Sequence, residues 1–171
     1  MTTALSPVDP DSYRALMASH PGGVAVVTTD DGLTPYGFAC TAWCGVSLDP
    51  PLLLVCASNT GSTLPVLAER GWFAVNLLHG AGRRAADAFA HRDAGRFSAV
   101  PWKRSPATGL PLLPEDAHTA AECRVHRLDR AGDHTVIIGE IFRAEPLPMP
   151  GADRAPLLYG MRTYATWPAT T

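Results

Sequence analysis

The 171-residue sequence has no apolar run approaching the roughly 20 residues of a membrane-spanning helix, so no span is expected. Its first stretch, MTTALSPVDPDS, lacks the basic start and apolar block of a secretory leader, and the expected location is the cytoplasm. A net charge of −2 provides no basic stripe for nucleic acid. The cysteines Cys40, Cys44, Cys56 and Cys123 form no Cys-x-x-Cys pair, and no second pair of zinc ligands follows Cys40 and Cys44. Reduced thiols acting as small apolar side chains are expected instead. The six histidines make no His-x-x-x-His pair, and no metal is expected. There is no Gly-x-Ser-x-Gly elbow, since Ser47 sits in Gly-Val-Ser-Leu-Asp. There is no Walker loop either. His79-Gly80-Ala81-Gly82-Arg83-Arg84 has one Gly-x-Gly without the third glycine or a βαβ context, and it reads as the glycine start of a helix.

What remains is an ordinary globular composition, 46% hydrophobic and 18% charged, enough for one domain over 1–171 with a core at about 12–165. The first eight or so residues and the last four are expected to be flexible. Asp9-Pro10-Asp11-Ser12 starts a helix with a capping acid and Pro at its first position, and Pro21-Gly22 stops it. Val24 to Thr29 is a β-branched strand, Asp30-Asp31-Gly32 a hairpin turn, and about Tyr36 to Leu48 the return strand. Leu52 to Ala57 is continuously apolar, which predicts a strand buried on both faces. A helix from Ser62 or Thr63 to Arg70, a strand over 72–78 and a helix over 83–91 follow. Residues 92–117, with four prolines, read as irregular and therefore as functional. Strands at about 121–128 and 134–142 flank the turn Asp129–Asp133, and 156–164 adds one more. Six or seven strands, mostly hairpin-linked, with short helices between them, predict a mainly β, Greek-key-like antiparallel barrel and not a Rossmann sheet.

Three stretches could carry chemistry. Ser58-Asn59-Thr60-Gly61-Ser62-Thr63 runs from a strand into a helix, and its small residues leave amide N–H groups and hydroxyls open beside a helix N-terminus. That suits an anion such as phosphate, although alone it reads more simply as a polar loop and cap. Gly37, Ala39 and Thr41 share one face of their strand, where a flat ligand could approach the backbone; Tyr36, Phe38, Cys40 and Ala42 point the other way, toward the core. Alone, a tight barrel corner is the simpler reading. Gly132-Asp133-His134 is a turn followed by a histidine. In extended chain the Asp and His side chains diverge, so a dyad is not expected, and the histidine reads as exposed or as a ligand contact at a cleft mouth.

Taken in order, Gly37-Phe38-Ala39, Val46-Ser47-Leu48-Asp49-Pro50-Pro51-Leu52, the Ser/Thr stretch, Phe73-Ala74-Val75-Asn76-Leu77-Leu78, Gly132-Asp133-His134 with Gly139-Glu140, and Pro156-Leu157-Leu158-Tyr159 form a pattern. The chain resembles the short flavin reductases that supply reduced flavin to two-component flavin-dependent monooxygenases, over about residues 12–165. The resemblance implies an FMN-binding split barrel, a homodimer, and hydride transfer from NADH or NADPH to FAD or FMN, with a monooxygenase as transient partner. It implies flavin contacts at Pro35, Gly37, Phe38, Ala39, Thr41 and Ala42 for the ring, and at Cys56, Ala57 and Ser58 for the ring and ribityl chain. Ser62 and Thr63 would hold the phosphate, with Phe89 near the rest of the cofactor. It places His134 near the nicotinamide, with Tyr159 and Arg162 as further candidates. Gly82, Gly95 and Thr41 depart from the residues common in that family. The alternatives are a flavin carrier or a non-catalytic split barrel.

Overall fold

The computed structural model describes residues 6–91, 95–147 and 155–168; the chain ends expected to be flexible lie largely outside them, as do residues 92–94 of the stretch read as irregular. Helix α1 (Pro10–Ala18) starts as its sequence dictates, with the Asp9 carboxylate accepting from the Asp11 and Ser12 amides at 2.9 and 3.0 Å. None of its residues is buried. Strands β1 (Gly22–Gly23) and β2 (Ala25–Asp30) follow, and β2 is buried at every position.

The return strand expected over 36–48 is two strands, β3 (Pro35–Cys40) and β4 (Trp43–Ser47). The break has a physical cause. Strand β2 pairs with β3 only as far as Ala25 opposite Cys40, so the chain beyond Cys40 has no partner there. It crosses to β5 (Leu52–Ser58): the Ala42 carbonyl accepts from the Cys56 amide at 3.1 Å, and the Trp43 indole donates to the Gly23 carbonyl at 2.9 Å. Strand β5 alternates, with Leu53, Val55 and Ala57 buried and the residues between them half-buried, so it is not covered on both faces as its continuous apolarity suggested.

Helix α2 (Thr63–Arg70) ends at Gly71, whose φ of 70° suits a residue without a side chain. Next come β6 (Trp72–Leu78), a 3₁₀ turn at Gly80–Gly82 and α3 (Arg83–Ala90). The stretch read as irregular contains α4 (Arg96–Ala99) and the paired β7 (Lys103–Arg104) and β8 (Pro111–Leu112). It is part of the core, since Leu110 and Leu113 are fully buried. Buried Asn76 anchors it, accepting from the Leu113 amide at 3.0 Å while its Nδ2 donates to the Val26 carbonyl and the Thr28 hydroxyl. Strands β9 (Ala117–Ala131) and β10 (His134–Pro146) are longer than expected, and the turn between them is only Gly132-Asp133. The last expected strand is a hairpin, β11 (Leu157–Gly160) and β12 (Thr163–Thr166), turning at Met161 and Arg162 with positive φ.

The main sheet is antiparallel with the order β3-β2-β6-β9-β10-β5-β4. It curls until its ends approach, with Cys40 Sγ 3.8 Å from the Cys56 carbonyl, but no ladder joins β3 to β4 or β5. The fold is therefore mainly β, a split barrel with short helices. One apolar cluster fills the inside, around Val27, Val55, Phe73 and Ile137; a second lies outside the sheet under α3, around Val26, Phe89, Leu110 and Leu113.

Candidate functional site

Strand β3 ends the sheet, and its free edge can be read from two hydrogen bonds. The Val24 carbonyl, just before β2, accepts from the amide of Leu78, the last residue of β6, so residue 24 and alternate β2 residues 26 and 28 turn their polar backbone toward β6. The intervening residues then serve β3, where they pair with Tyr36, Phe38 and Cys40. Pro35, Gly37 and Ala39 consequently turn their backbone groups off the open edge. Arg96 donates from Nη1 to the Gly37 carbonyl, which lies on that edge. Pro35 lacks an N–H where none would be paired.

Gly37 is small for a reason other than the one expected. A Cβ there would lie 2.8 Å from Phe89 Cε1 and 2.9 Å from the Val27 carbonyl oxygen. The small-residue face of β3 is thus filled by Phe89 of α3, and what is left to a ligand is the strand's edge. Phe38 and Cys40 pack inward as expected, but Ala42 lies beyond the strand.

Opposite this edge stands the loop after β5. The Gly61 amide donates to the Ser58 carbonyl at 3.0 Å, and the Ser58 and Thr60 hydroxyls lie 3.1 Å apart. Ser62 occupies the N-cap position of α2 without making a side-chain cap bond, so its hydroxyl is not committed to the helix. Asn59 fastens the loop to the β9–β10 turn: its amide donates to the Asp133 carbonyl at 2.9 Å, and its Nδ2 to that of Gly132 at 3.1 Å. In this way His134, directly opposite Ser58 in the β5–β10 pairing, reaches the same place.

Asp133 and His134 do touch, with Oδ1 and Nδ1 2.8 Å apart, because a turn residue does not follow the alternation of an extended strand. The hydrogen bond from His134 holds the Asp133 carboxyl below its usual range. A carboxylate only accepts, so Nδ1 carries the proton, and the ring in its neutral form has an Nε2 lone pair with which to accept. Burial pushes the Cys40 thiol up to about 11 and raises that of Cys56, so neither is a thiolate at neutral pH.

These elements enclose a cleft of about 640 Å³. Of the residues singled out in the sequence, Pro35, Gly37, Phe38 and Ala39 line it from β3, and Cys56, Ala57 and Ser58 from β5. Ser62, Thr63, Phe89 and His134 complete that set. Thr41, Ala42, Tyr159 and Arg162 do not reach it. They lie around a second hollow of about 780 Å³ that shares only Cys56 with the first. Sequence reasoning missed His91, Arg96 and Phe97, which form the cleft's far side. The Gly37 carbonyl that Arg96 meets there lies 59 residues away in the sequence, so adjacency gave no signal of it. No carboxylate lines the cleft among the described residues, while His91, Arg96, His134 and the start of α2 bring actual or potential positive charge. An unpaired strand edge for a flat heterocycle, hydroxyls at a helix start and a described lining without carboxylates fit a phosphorylated ring.

The family model for the flavin reductase like domain matches residues 17–168. A flavin reductase (NADPH) of Lentzea aerocolonigenes is 45% identical over 156 residues, covering 91% of this chain and 88% of that protein. A flavin reductase (NADH) of Kitasatospora aureofaciens is 44% identical over 164 residues, covering 94% and 83%. The solved structure of a Streptomyces globisporus NADH:FAD oxidoreductase, in complex with NAD and FAD fragments, superposes with a TM-score of 0.83 at 32% identity, covering 94% of this chain and 96% of that one. Further relatives are reductase subunits of flavin-dependent monooxygenases.

Proposed function

The chain belongs to the flavin reductase like domain family, and from that premise we propose how its cleft works as an NAD(P)H-dependent flavin reductase serving a partner monooxygenase. Bound FAD or FMN supplies the acceptor for a hydride that NADH or NADPH brings. The protein's part is to bind, orient and exclude water. The outward backbone groups of Gly37 and Ala39 hold the edge of the ring, and the Ala39 amide is placed to stabilise charge that grows there. Cys56, Ala57 and Ser58 run beside it, the thiol neutral and therefore inert. Ser62, Thr63 and the start of α2 take the phosphate. His134 offers Nε2 as an acceptor to a carboxamide N–H of the nicotinamide. No general acid or base is required, and none is assigned. Thr41, Ala42, Tyr159 and Arg162 lie around the neighbouring hollow, which meets the cleft at Cys56.

One observation carries this reading: the unpaired edge of β3 faces the Ser58–Thr63 loop across one cleft that no carboxylate lines among the described residues. Mixing flavin-loaded protein with NADH in a stopped-flow cell tests it. Loss of the flavin's visible absorption within turnover time is the expected result; binding without loss would make the protein a carrier.

We also propose that a second copy of the chain completes the molecule. Helix α1 buries nothing and leaves Tyr13, Leu16 and Met17 exposed, and Leu48 after β4 is 92% exposed. Sedimentation velocity should give twice the chain mass. Among the described residues no helix is long and apolar enough to cross a membrane, and we place the enzyme in the cytoplasm.

A further inference from the structure

The cleft lies between two walls, and each has its own anchor. The first wall, the Ser58–Thr63 loop with His134, is tied together by Asn59. The second is the open edge of β3, with Phe89, Arg96 and Phe97 beside it. Its anchor is Asp30, the last residue of β2, which is 1% exposed and stands opposite Pro35, the first residue of that edge. The Asp30 carboxylate fixes the turn between them, accepting from the Gly32 amide at 2.7 Å. Two arginines from distant segments converge on it. Arg104 Nη1 lies 3.2 Å from Oδ2 and donates to the Gly109 carbonyl at 2.9 Å, while its Nη2 donates to the Leu33 carbonyl at 3.2 Å. Arg70, at the end of α2, brings Nε to 3.7 Å from Oδ1, and its Nη2 donates to the Thr108 carbonyl at 3.3 Å. Neither arginine meets another carboxylate among the described residues.

Burying an acid beside two arginines whose side chains are 39% and 41% exposed gains little stability, because desolvation offsets much of the attraction. What the arrangement fixes is register. Arg104 sets the β2–β3 turn against the β7–β8 hairpin, and its guanidinium lies over Trp102 at 5.9 Å, whose ring meets Phe97 of the same wall edge-on at 5.5 Å. We propose that Asp30 is a positioning residue for the reductase: through Arg104 and Arg70 it holds the β3 edge at the distance from His134 that hydride transfer requires. This role rests on the flavin-reductase reading, in which the ring sits on the second wall and the nicotinamide meets the first. A small shift of one wall then separates the reacting atoms, and a misplacement of ~1 Å can cost roughly a hundredfold in rate. The Asn59 bonds that anchor the first wall involve neither Asp30 nor the two arginines.

The test is stopped-flow reduction of the flavin-saturated full chain by NADH, beside steady-state kinetics and thermal denaturation. Asp30→Asn keeps an oxygen for the Gly32 amide and removes the charge. It should slow single-turnover loss of flavin absorption at saturating NADH by about tenfold or more and leave the KM for NADH within about twofold. Arg104→Gln, at a partly exposed position, carries the same expectation should Asp30→Asn not fold. Arg104→Lys, which keeps the charge but not the fork, should recover part of the rate. Ile137→Val, a truncation in the inner core around Phe73, should lower the melting temperature without slowing reduction. An unchanged reduction rate in Asp30→Asn and Arg104→Gln, or slowing that Ile137→Val reproduces at equal loss of stability, would overturn the role while leaving the reductase intact. So would a raised KM for NADH at an unchanged rate. Absence of reduction in the unaltered protein would overturn the reductase reading and this role with it.

Discussion

The Thr135 hydroxyl donates to the Asn59 side-chain oxygen at 2.7 Å, so the loop after β5 and the hairpin that carries His134 are one unit. With Nδ2 of Asn59 on the Gly132 carbonyl, the side chain bridges the two segments with both its oxygen and its nitrogen. Asn59→Ala should lower stability by about 1–2 kcal/mol in urea denaturation. It should also weaken flavin binding and raise the KM for NADH together. Lower stability with both constants unchanged would mean that the bridge serves the fold alone.

In the function proposed above, His134 would meet its ligand by a hydrogen bond and take no proton from it. His134→Ala is therefore expected to raise the KM for the nicotinamide substrate by roughly tenfold, the scale of one lost hydrogen bond in a site, with a smaller change in kcat. Steady-state kinetics with an unchanged KM for NADH would remove His134 from the site.

Ser62 separates binding from folding. It sits at the N-cap of α2 but makes no cap bond, so Ser62→Ala should shift the unfolding free energy by less than about 0.5 kcal/mol, below the usual cost of losing a capping side chain. Flavin titration of the same variant should show a several-fold weaker complex. A marked loss of stability would assign the hydroxyl to the helix instead.

Gly37→Ala should be destabilising by about 1–3 kcal/mol, the usual range for overpacking. One neighbour of the new methyl, the Val27 carbonyl oxygen at 2.9 Å, is backbone and cannot swing away. Thermal denaturation measures this, and the tightness of bound flavin should fall with it as the β3 edge shifts.

The buried thiols set the alkaline limit. Cys40 is raised from 9.0 to about 11 and Cys123 from 9.0 to about 12, both chiefly by burial. A thiol that ionises more readily in the unfolded chain draws the equilibrium toward unfolding as pH rises. The stability each contributes is whole below pH 9.0 and is lost as pH climbs through about 11 and about 12. Urea titrations between neutral and alkaline pH should show this decline. Cys40→Ser, which removes one of the buried thiols that ionise in this range, should make it shallower. At neutral pH, exposed Cys44 should react first with thiol reagents, and Cys40 and Cys123 only after unfolding.

Local chemistry made much of the fold legible. The Asp9 cap, the ends of β6 and the start of α2 follow from residues within a few positions of one another. What could not be read is set by distant partners. Nothing in Tyr36–Leu48 says that β2 ends at Ala25, and that end is what divides the strand at Thr41 and Ala42. The proline-rich segment gave no sign of being core, because Asn76, which anchors it, lies 37 residues from Leu113. Arg96 is likewise 59 residues from the Gly37 carbonyl it holds, and with it the second wall of the cleft was hidden. Gly37 was singled out for its small size, and the groups that demand that size are Phe89 and the Val27 carbonyl. The first wall was legible because its hydroxyls and glycine are contiguous.

An open strand edge invites other backbones. Where β3 leaves its amides unmatched, another molecule's strand could dock and begin a fibrillar stack. Pro35 and the guanidinium of Arg96 stand guard at two points along it, and a seated flavin would cover much of the remainder. Protein stripped of flavin should thus cloud and precipitate sooner on storage than loaded protein, as expected if the ligand covers the sheet's open edge.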